Sequence, residues 1–215
     1  MKIDANLNLV IPIERDGKTA FIHSTPISRY AFESHFRLLA TTYADMFGRG
    51  GGYANVAPRV ATLTLREVGG RLAAEAGDVD EEGRPKGDGG ADALLAEIKR
   101  QSIVAASFSD GWQMMPVDAA LKREVLDEDD WREAEAALVF FTCLCWMTPR
   151  KNAAQAVRLM ASAIGLSTAA LPPSEWMNSL PKSTPEESSA EPQKPSLAQE
   201  TAVPGARAVS LTITR

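Results

Sequence analysis

Residues 127–147 read DEDDWREAEAALVFFTCLCWM, and the predicted fold is built around this segment. Asp127 has the side chain of a helix N-cap, and the three acids after it complement the positive end of a helix dipole. Apolar residues then recur at helical spacing, and from Ala137 onward the segment is apolar on every side. A helix of this kind lies between neighbouring elements or in a subunit contact. Pro149 ends it, because proline cannot continue the hydrogen-bond ladder.

Helical periodicity predicts five further helices. Their approximate bounds are Ser28 (as N-cap) to Phe47, Val56 to Ala76, Ala91 to Ala106, Val117 to Arg123 and Asn152 to Ile164. The first carries an apolar stripe of Phe32, Phe36, Leu39, Tyr43 and Phe47. The second has a predicted inner face of Val60, Leu63, Leu65, Val68 and Leu72, with Gly69-Gly70 weakening its middle. The third uses Leu94, Leu95, Ile98 and Val104, and Gly111-Trp112 marks a connection.

The N-terminus has the pattern of a β-hairpin instead. Asn6 to Ile13 is rich in β-branched residues, Asp16-Gly17 supplies a turn, and Lys18 to His23 forms the return strand. Pro12 favours an edge position, because proline cannot donate to a neighbouring strand. A lone hairpin is marginal in water, so it must lean on the helices or on a partner.

The chain therefore divides into a hairpin (residues 1–25), a helical domain (26–171) and a tail (172–215). Seven of the thirteen prolines lie between Pro172 and Pro204, among Ser, Glu, Lys and Gln, so we expect the tail to be disordered. Its last residues alternate Val209, Leu211 and Ile213 with polar ones, which fits either a docking strand or a frayed chain end. The predicted fold class is mainly α: a compact helical domain with an N-terminal β-hairpin and a disordered C-terminal tail.

Composition limits the functional classes. With 45% hydrophobic residues among 215, the chain can build a core, and its net charge of -5 argues against a nucleic-acid partner. The longest apolar helix, Ala136 to Thr148, is shorter than the roughly 20 residues that cross a bilayer, so no membrane partner is expected. The start, Met1 to Asp4, is acidic and unlike a signal peptide. We expect a soluble, cytoplasmic protein.

No residue pattern predicts catalysis, a metal site or a cofactor. Cys143 and Cys145 are one residue apart on a helix, so their side chains diverge and are read as buried thiols in a reducing compartment. His23 and His35 have no second ligand at metal-site spacing. The chain is therefore predicted not to be an enzyme.

Three further motifs resemble ligand sites but are incomplete. Asp78 to Gly83 imitates half of a calcium loop, yet the position of the essential acid is Gly89. Arg49 to Gly52 is glycine-rich but lacks the Gly-Lys-Ser/Thr ending of a phosphate loop. The acids of Asp127 to Asp130 point in different directions on a helix, which favours dipole complementation over metal binding.

The tryptophans are candidates for partner contacts, since aromatic residues dominate interface hot spots. Trp131 and Trp146 lie at helical spacing in the apolar segment, which favours a place in the core. Trp112 is a further candidate. For Trp176, after Pro172-Pro173, packing on the domain and contact with a partner remain equally open.

Five segments carry a resemblance to a known family: Met1 to Pro12, Ile22 to Arg29, Ala57 to Ala61, Gly111 to Pro116 and Ala136 to Thr142. Together they resemble tail assembly chaperones of lambda-like siphophages, which are long-tailed bacteriophages. The resemblance covers about residues 1 to 180. The glycine-rich stretches at 48–52 and 77–90 depart from the family's pattern.

The resemblance implies a mainly helical protein of the host cell cytoplasm that is absent from the mature virion. It implies two partners, the tape-measure protein, which is kept soluble, and the major tail-tube protein, which a longer frameshifted form recruits. Self-association is a further expectation, and no catalytic residue is implied. We also expect the hairpin to cover part of Ala137 to Met147, with partners binding nearby, although no individual contact residue is assigned.

Two other functional classes fit the same residues. One is a structural subunit of the phage tail or head-tail connector, and the other is a cytoplasmic helical adaptor.

Overall fold

The computed structural model describes residues 2–3, 8–15, 17–48 and 51–163. The predicted tail, including Trp176, lies outside these ranges. The chain divides into two compact units, Met1–Thr184 and Pro185–Arg215. Everything described below belongs to the first unit.

The strands and helices follow one another along the chain in three groups. The first strands are β1 (Lys2–Ile3), β2 (Leu9–Arg15) and β3 (Lys18–Ser24). The helices α1 (Arg29–Ser34), α2 (Phe36–Gly48), α3 (Gly51–Glu75) and α4 (Ala91–Arg100) come next. After these come β4 (Ser102–Phe108), β5 (Gly111–Pro116), α5 (Val117–Lys122), α6 (Glu128–Met147) and α7 (Arg150–Ala163).

The predicted hairpin is confirmed in β2 and β3. Arg15 pairs with Lys18 across the turn, and Gly17 has a φ of +73°, a conformation that glycine adopts without strain. Strand β1 pairs only with Leu9 and Val10, so at Pro12 the described part of the sheet has one neighbour, β3. Pro12 therefore occupies an edge position, as predicted.

The hairpin belongs to a larger sheet, which corrects the predicted fold class. All five strands form one antiparallel sheet in the order β1-β2-β3-β4-β5. The helices predicted around it are present, so the chain combines helices with a sheet rather than adding a lone hairpin to a helical domain.

The fold-class prediction was wrong in residues 101–116, which form two strands. The third helix, predicted to reach Ala106, ends at Arg100, and the predicted connection at Gly111-Trp112 begins β5. Strand β4 has hydrogen-bonded neighbours on both sides, β3 and β5. This pairing outweighs the helical preference of Ala105 and Ala106, because tertiary contacts override local propensity.

The sheet has an inner and an outer face. Alternate residues such as Leu9, Ile22, Val104, Ala106 and Met115 join the main core with the helices. The residues between them face the other way, where Val10 and Ala105 form a separate cluster with Phe21 and Trp112. We call this side the outer face; its apolar residues are Val10, Phe21, Ile103, Ala105, Trp112 and Met114, and Glu14, Thr19, His23 and Ser107 share it.

Helix α6 is the central helix of the domain. It packs against α2, α3, α4 and α7 and against strand β2. Leu138, Val139, Phe140, Phe141, Cys143 and Leu144 are all buried, which covers its full circumference. Leu9 and Ser24 of the hairpin line a small cavity with Leu138 and Phe141, so the hairpin covers part of α6. The prediction that α6 is enclosed by its neighbours is confirmed.

The first predicted helix is divided at His35. Ser28 caps α1 as expected, since its Oγ accepts a hydrogen bond from the Ala31 N–H at 3.1 Å. His35 leaves helical geometry (φ -111°, ψ 15°), and its N–H bonds to the carbonyls of Ala31 and Phe32. The axis restarts at Phe36, which is 53% exposed and not part of an inner stripe.

The predicted inner face of α3 is confirmed in part, because Leu65, Val68 and Leu72 contact the core. Leu63 was wrongly placed there, since it is 68% exposed, and Ala57 and Ala61 are buried on the inner face instead. Small alanines carry this face because α3 packs closely on α2 and α6. Residues 77–90 form a polar loop, which crosses α3 at Gly69. Helices α5 and α7 match their predictions to within two residues at each end.

Candidate protein-binding surfaces

The two cysteines have no environment for thiolate chemistry. Both are free thiols, Cys143 buried and Cys145 half-buried, on α6. Burial raises the pKa of each thiol to about 12, because an apolar setting disfavours the charged thiolate. A nucleophile or soft-metal ligand needs the thiolate, so these side chains serve the core, as predicted.

Carboxylates in the two acidic motifs accept hydrogen bonds from nearby backbone N–H groups. In the loop after α3, Asp80 Oδ1 accepts from the N–H groups of Glu82 and Arg84, which closes a turn. Among the residues that the structure describes, no group of three or more His, Cys, Asp or Glu is placed to hold a metal ion.

The acids at the start of α6 form a capping box, as the sequence favoured. Asp127 accepts from the Asp130 N–H at 2.7 Å, and Asp130 accepts in return from the Asp127 N–H at 3.0 Å. Arg15 of β2 lies 2.9 Å from the Asp127 carboxylate and ties the hairpin to the helix. The hydrogen bond from Asp130, followed by the charge of Arg15, lowers the pKa of Asp127.

The three described tryptophans have different surroundings. Trp131 is buried and donates its indole N–H to Glu135, whose pKa is raised by burial. Trp112 is half-buried on the outer face, 5.7 Å from the Phe21 ring. Trp146 is half-buried near the end of α6, so its predicted place in the core is only partly right.

Trp146 forms the base of an aromatic surface. Its ring stacks on Phe32 of α1 with centroids 4.5 Å apart and an angle of 11° between the planes. Phe36 meets Phe32 edge to face at 5.7 Å. Phe36 is 53% exposed, and Tyr30, on the same short helix as Phe32, is 80% exposed. We call Phe32, Phe36 and Trp146 the aromatic surface; Tyr30, about 200° around α1 from Phe32, is a separate exposed ring.

This arrangement suits the binding of a polypeptide. The Phe32–Trp146 stack is a rigid base, and Phe36 offers large apolar area with few rotatable bonds. Exposed aromatic clusters of this kind mark interaction sites, because burying such rings on a partner removes much apolar area from water.

A second candidate is a groove between α3 and α6. It has a volume of about 610 Å³, and Leu63, Ala136 and Thr62 lie among three arginines and two glutamates. The arginines are engaged in part: Arg66 pairs with Asp92, and Arg132 pairs with Asp129. With mixed charges and one exposed apolar side chain, Leu63, it is a weaker site for an apolar partner than the aromatic surface.

Sequence reasoning missed the aromatic surface because it placed Phe36 in an inner stripe. One signal was present, for Tyr30 alone: it lies about 200° from Phe32 on a helix, so on a helix with one buried face only one of the two rings packs inward. The break at His35 gave no comparable signal, since histidine is tolerated inside helices.

None of the helices in the described ranges is long and apolar enough to span a lipid bilayer. No protein-family model matches the chain, and no curated protein or solved structure matches it either.

Proposed function

We propose that this chain is a tail assembly chaperone of a lambda-like siphophage. It holds the tape-measure protein in soluble form in the host cytoplasm and helps to recruit tail-tube subunits. The proposal starts from the resemblance of the segments at residues 1–12, 22–29, 57–61, 111–116 and 136–142 to that family. The observation that carries it is the aromatic surface, which exposes Phe36 on the Phe32–Trp146 stack at the end of α6.

A protein that keeps another chain soluble must cover the apolar side chains of that chain by contacts that can exchange. No catalytic step is needed. Phe36 is accessible, and the Phe32 and Trp146 rings on which it rests are already packed. Because the base is preformed, little ordering opposes binding, which favours affinity for an apolar segment.

Co-expression tests the proposal. The chain is expressed with the tape-measure protein encoded beside it, and the soluble fraction of the tape-measure protein is measured. We expect that fraction to fall sharply when the chain is omitted or carries Phe36→Ser, the aromatic variant. The matched control is Leu63→Ser, which removes an equally exposed apolar side chain from α3.

Three results are informative. Equal solubility of the tape-measure protein without the chain refutes chaperone function. Loss of solubility with Leu63→Ser, but not with the aromatic variant, moves the binding site to the α3–α6 groove. Mass spectrometry of purified particles separates the main alternative, because a structural tail or connector subunit is present stoichiometrically and an assembly chaperone is absent.

A further inference from the structure

The sheet has two edges of different character. On the β2 side, β1 pairs with Leu9 and Val10, and the strand then continues through Pro12, Glu14 and Arg15. Proline and charged residues on an edge strand oppose pairing with another chain. The β2 edge is therefore protected.

The β5 edge has none of these features. Residues 111–116 read GWQMMP, without a charged residue and with proline only at the last position. Their register with β4 is unbroken, so no bulge turns the edge away. In the part of the chain that the structure describes, β5 is the last strand of the sheet. An edge of this kind is a template for pairing with another strand.

Met114 directs its backbone toward this edge. In a hairpin with a two-residue loop the closing pair exchanges hydrogen bonds, and bonded pairs then alternate with non-bonded ones. The closing pair here is Phe108 and Gly111, so Met114 and Ala105 form a non-bonded pair. The N–H and C=O groups of Met114 consequently point away from β4, toward the position of a further strand.

The side chains near this edge are mainly apolar. Met114 and Ile103 are 45% and 40% exposed on the outer face. On β4 and β5 this face carries one polar side chain, Ser107, whereas Glu14 and His23 lie on β2 and β3. A strand added at the β5 edge would therefore bring its own side chains against apolar neighbours.

We propose that two copies of the chain pair through β5, antiparallel and about a two-fold axis at Gln113. This register places Trp112 of each copy opposite Met114 of the other, with both side chains on the outer face. An axis at Met114 would instead place Trp112 opposite Pro116, which has no N–H to donate. A second copy suits this edge because the strand carries no charge, so no like charges meet across the axis.

The contact is small. Pairing of two strands of 6 residues lies at the lower end of specific interfaces, roughly 1,200 Å² or less. We therefore expect a dissociation constant in the micromolar range rather than a permanent dimer. The inference does not depend on the proposed function, since it concerns a different surface from the aromatic one.

Sedimentation equilibrium of the full chain across the micromolar range tests the pairing, and we expect a monomer–dimer equilibrium. Met114→Pro should raise the dissociation constant by about tenfold or more, because proline lacks the N–H that the second copy needs and β4 does not use. Met114→Val keeps the N–H and an apolar side chain and should leave the dimer intact. Met114→Lys, which places a charge at the edge, replaces the proline variant if that chain fails to fold.

Cysteine cross-linking tests the register. Gln113→Cys places two thiols opposite each other at the axis, so a disulfide-linked dimer should form under mild oxidation. Asp110→Cys is the matched control, because Asp110 accepts hydrogen bonds from Gln113 and either variant removes them. The two copies of residue 110 would lie roughly 20 Å apart and should not cross-link. The parent chain corrects for its own cysteines.

Several results would overturn the inference. One is a parent chain that stays monomeric throughout the concentration range. Another is a dimer that persists in both Met114→Pro and Met114→Lys, or one in which Asp110→Cys cross-links as well as Gln113→Cys. Assemblies larger than a dimer would contradict a closed two-fold contact.

Discussion

Gly69 and Gly70 are neighbours in the middle of α3 with different surroundings. A Cβ at Gly69 would overlap the carbonyl of Asp88 in the crossing loop, whereas a Cβ at Gly70 would lie 3.7 Å from Pro85. The sequence showed a glycine pair and predicted only a weakened helix. It could not show the close approach, because the loop that makes it comes much later in the chain.

We predict opposite effects for the two alanine variants. Gly69→Ala should lower the free energy of unfolding by about 1–3 kcal/mol, because the loop or helix must shift to admit the methyl group. Gly70→Ala should be neutral or raise it by up to about 1 kcal/mol, since alanine is the better helix former. Urea unfolding curves measure both. Equal effects would show that the loop does not press on Gly69.

Asp127 allows a prediction about pH. Its pKa is lowered in the folded protein below the ordinary range of an aspartate by the hydrogen bond from Asp130 and by the charge of Arg15. The charge therefore stabilises the fold fully at pH values above the pKa of Asp127 in the unfolded chain, and this contribution is lost as pH falls through the lower folded-state pKa.

The charge of Asp127 can be removed while its cap is kept, because asparagine is also a good N-cap. Asp127→Asn should lower the thermal midpoint at pH 7 and have a smaller effect near pH 3. Glu128→Gln serves as the control, since it removes a neighbouring charge outside the capping box. If Asp127→Asn changed the thermal midpoint by the same amount at pH 7 and near pH 3, the role assigned to the charge would be contradicted.

Among the elements, α6 was the most predictable and β4 the least. The cap, the ending and the apolar circumference of α6 are all local features of residues 127–149, and each is present. Strand β4 has a run of small and β-branched residues that suits a helix or a strand. Its state depends on pairing with β3, far away in the chain, which periodicity does not report.

The central position of α6 predicts a large effect for one of its side chains. Phe140 has no exposed surface and touches the Phe47 and Phe141 rings at 5.6 and 5.1 Å. Phe140→Ala should lower the free energy of unfolding by about 3–5 kcal/mol, because it leaves a cavity among helices. Leu63→Ala, at an exposed position of α3, should change the free energy of unfolding by less than about 0.5 kcal/mol. Denaturant unfolding compares the two, and similar losses would show that α6 is not central.

At the scale of the whole molecule, the sequence predicted an N-terminal hairpin and a helical body, and both are present. It did not predict that the hairpin continues into β4 and β5 and gives the domain an outer face with its own apolar cluster. It also assigned no partner-contact residue, since exposure depends on the relative placement of α1, α2 and α6. The aromatic surface exists because Phe32 reaches Trp146 across that junction.

The affinity of the purified chain for the tape-measure protein tests the central claim most directly. Phe36→Ser should weaken binding by about thirtyfold or more, as for the loss of an interface hot spot, while Leu63→Ser leaves the affinity unchanged. Unchanged affinity in the aromatic variant, or no measurable binding by the parent chain, would contradict the claim that this surface holds the tape-measure protein.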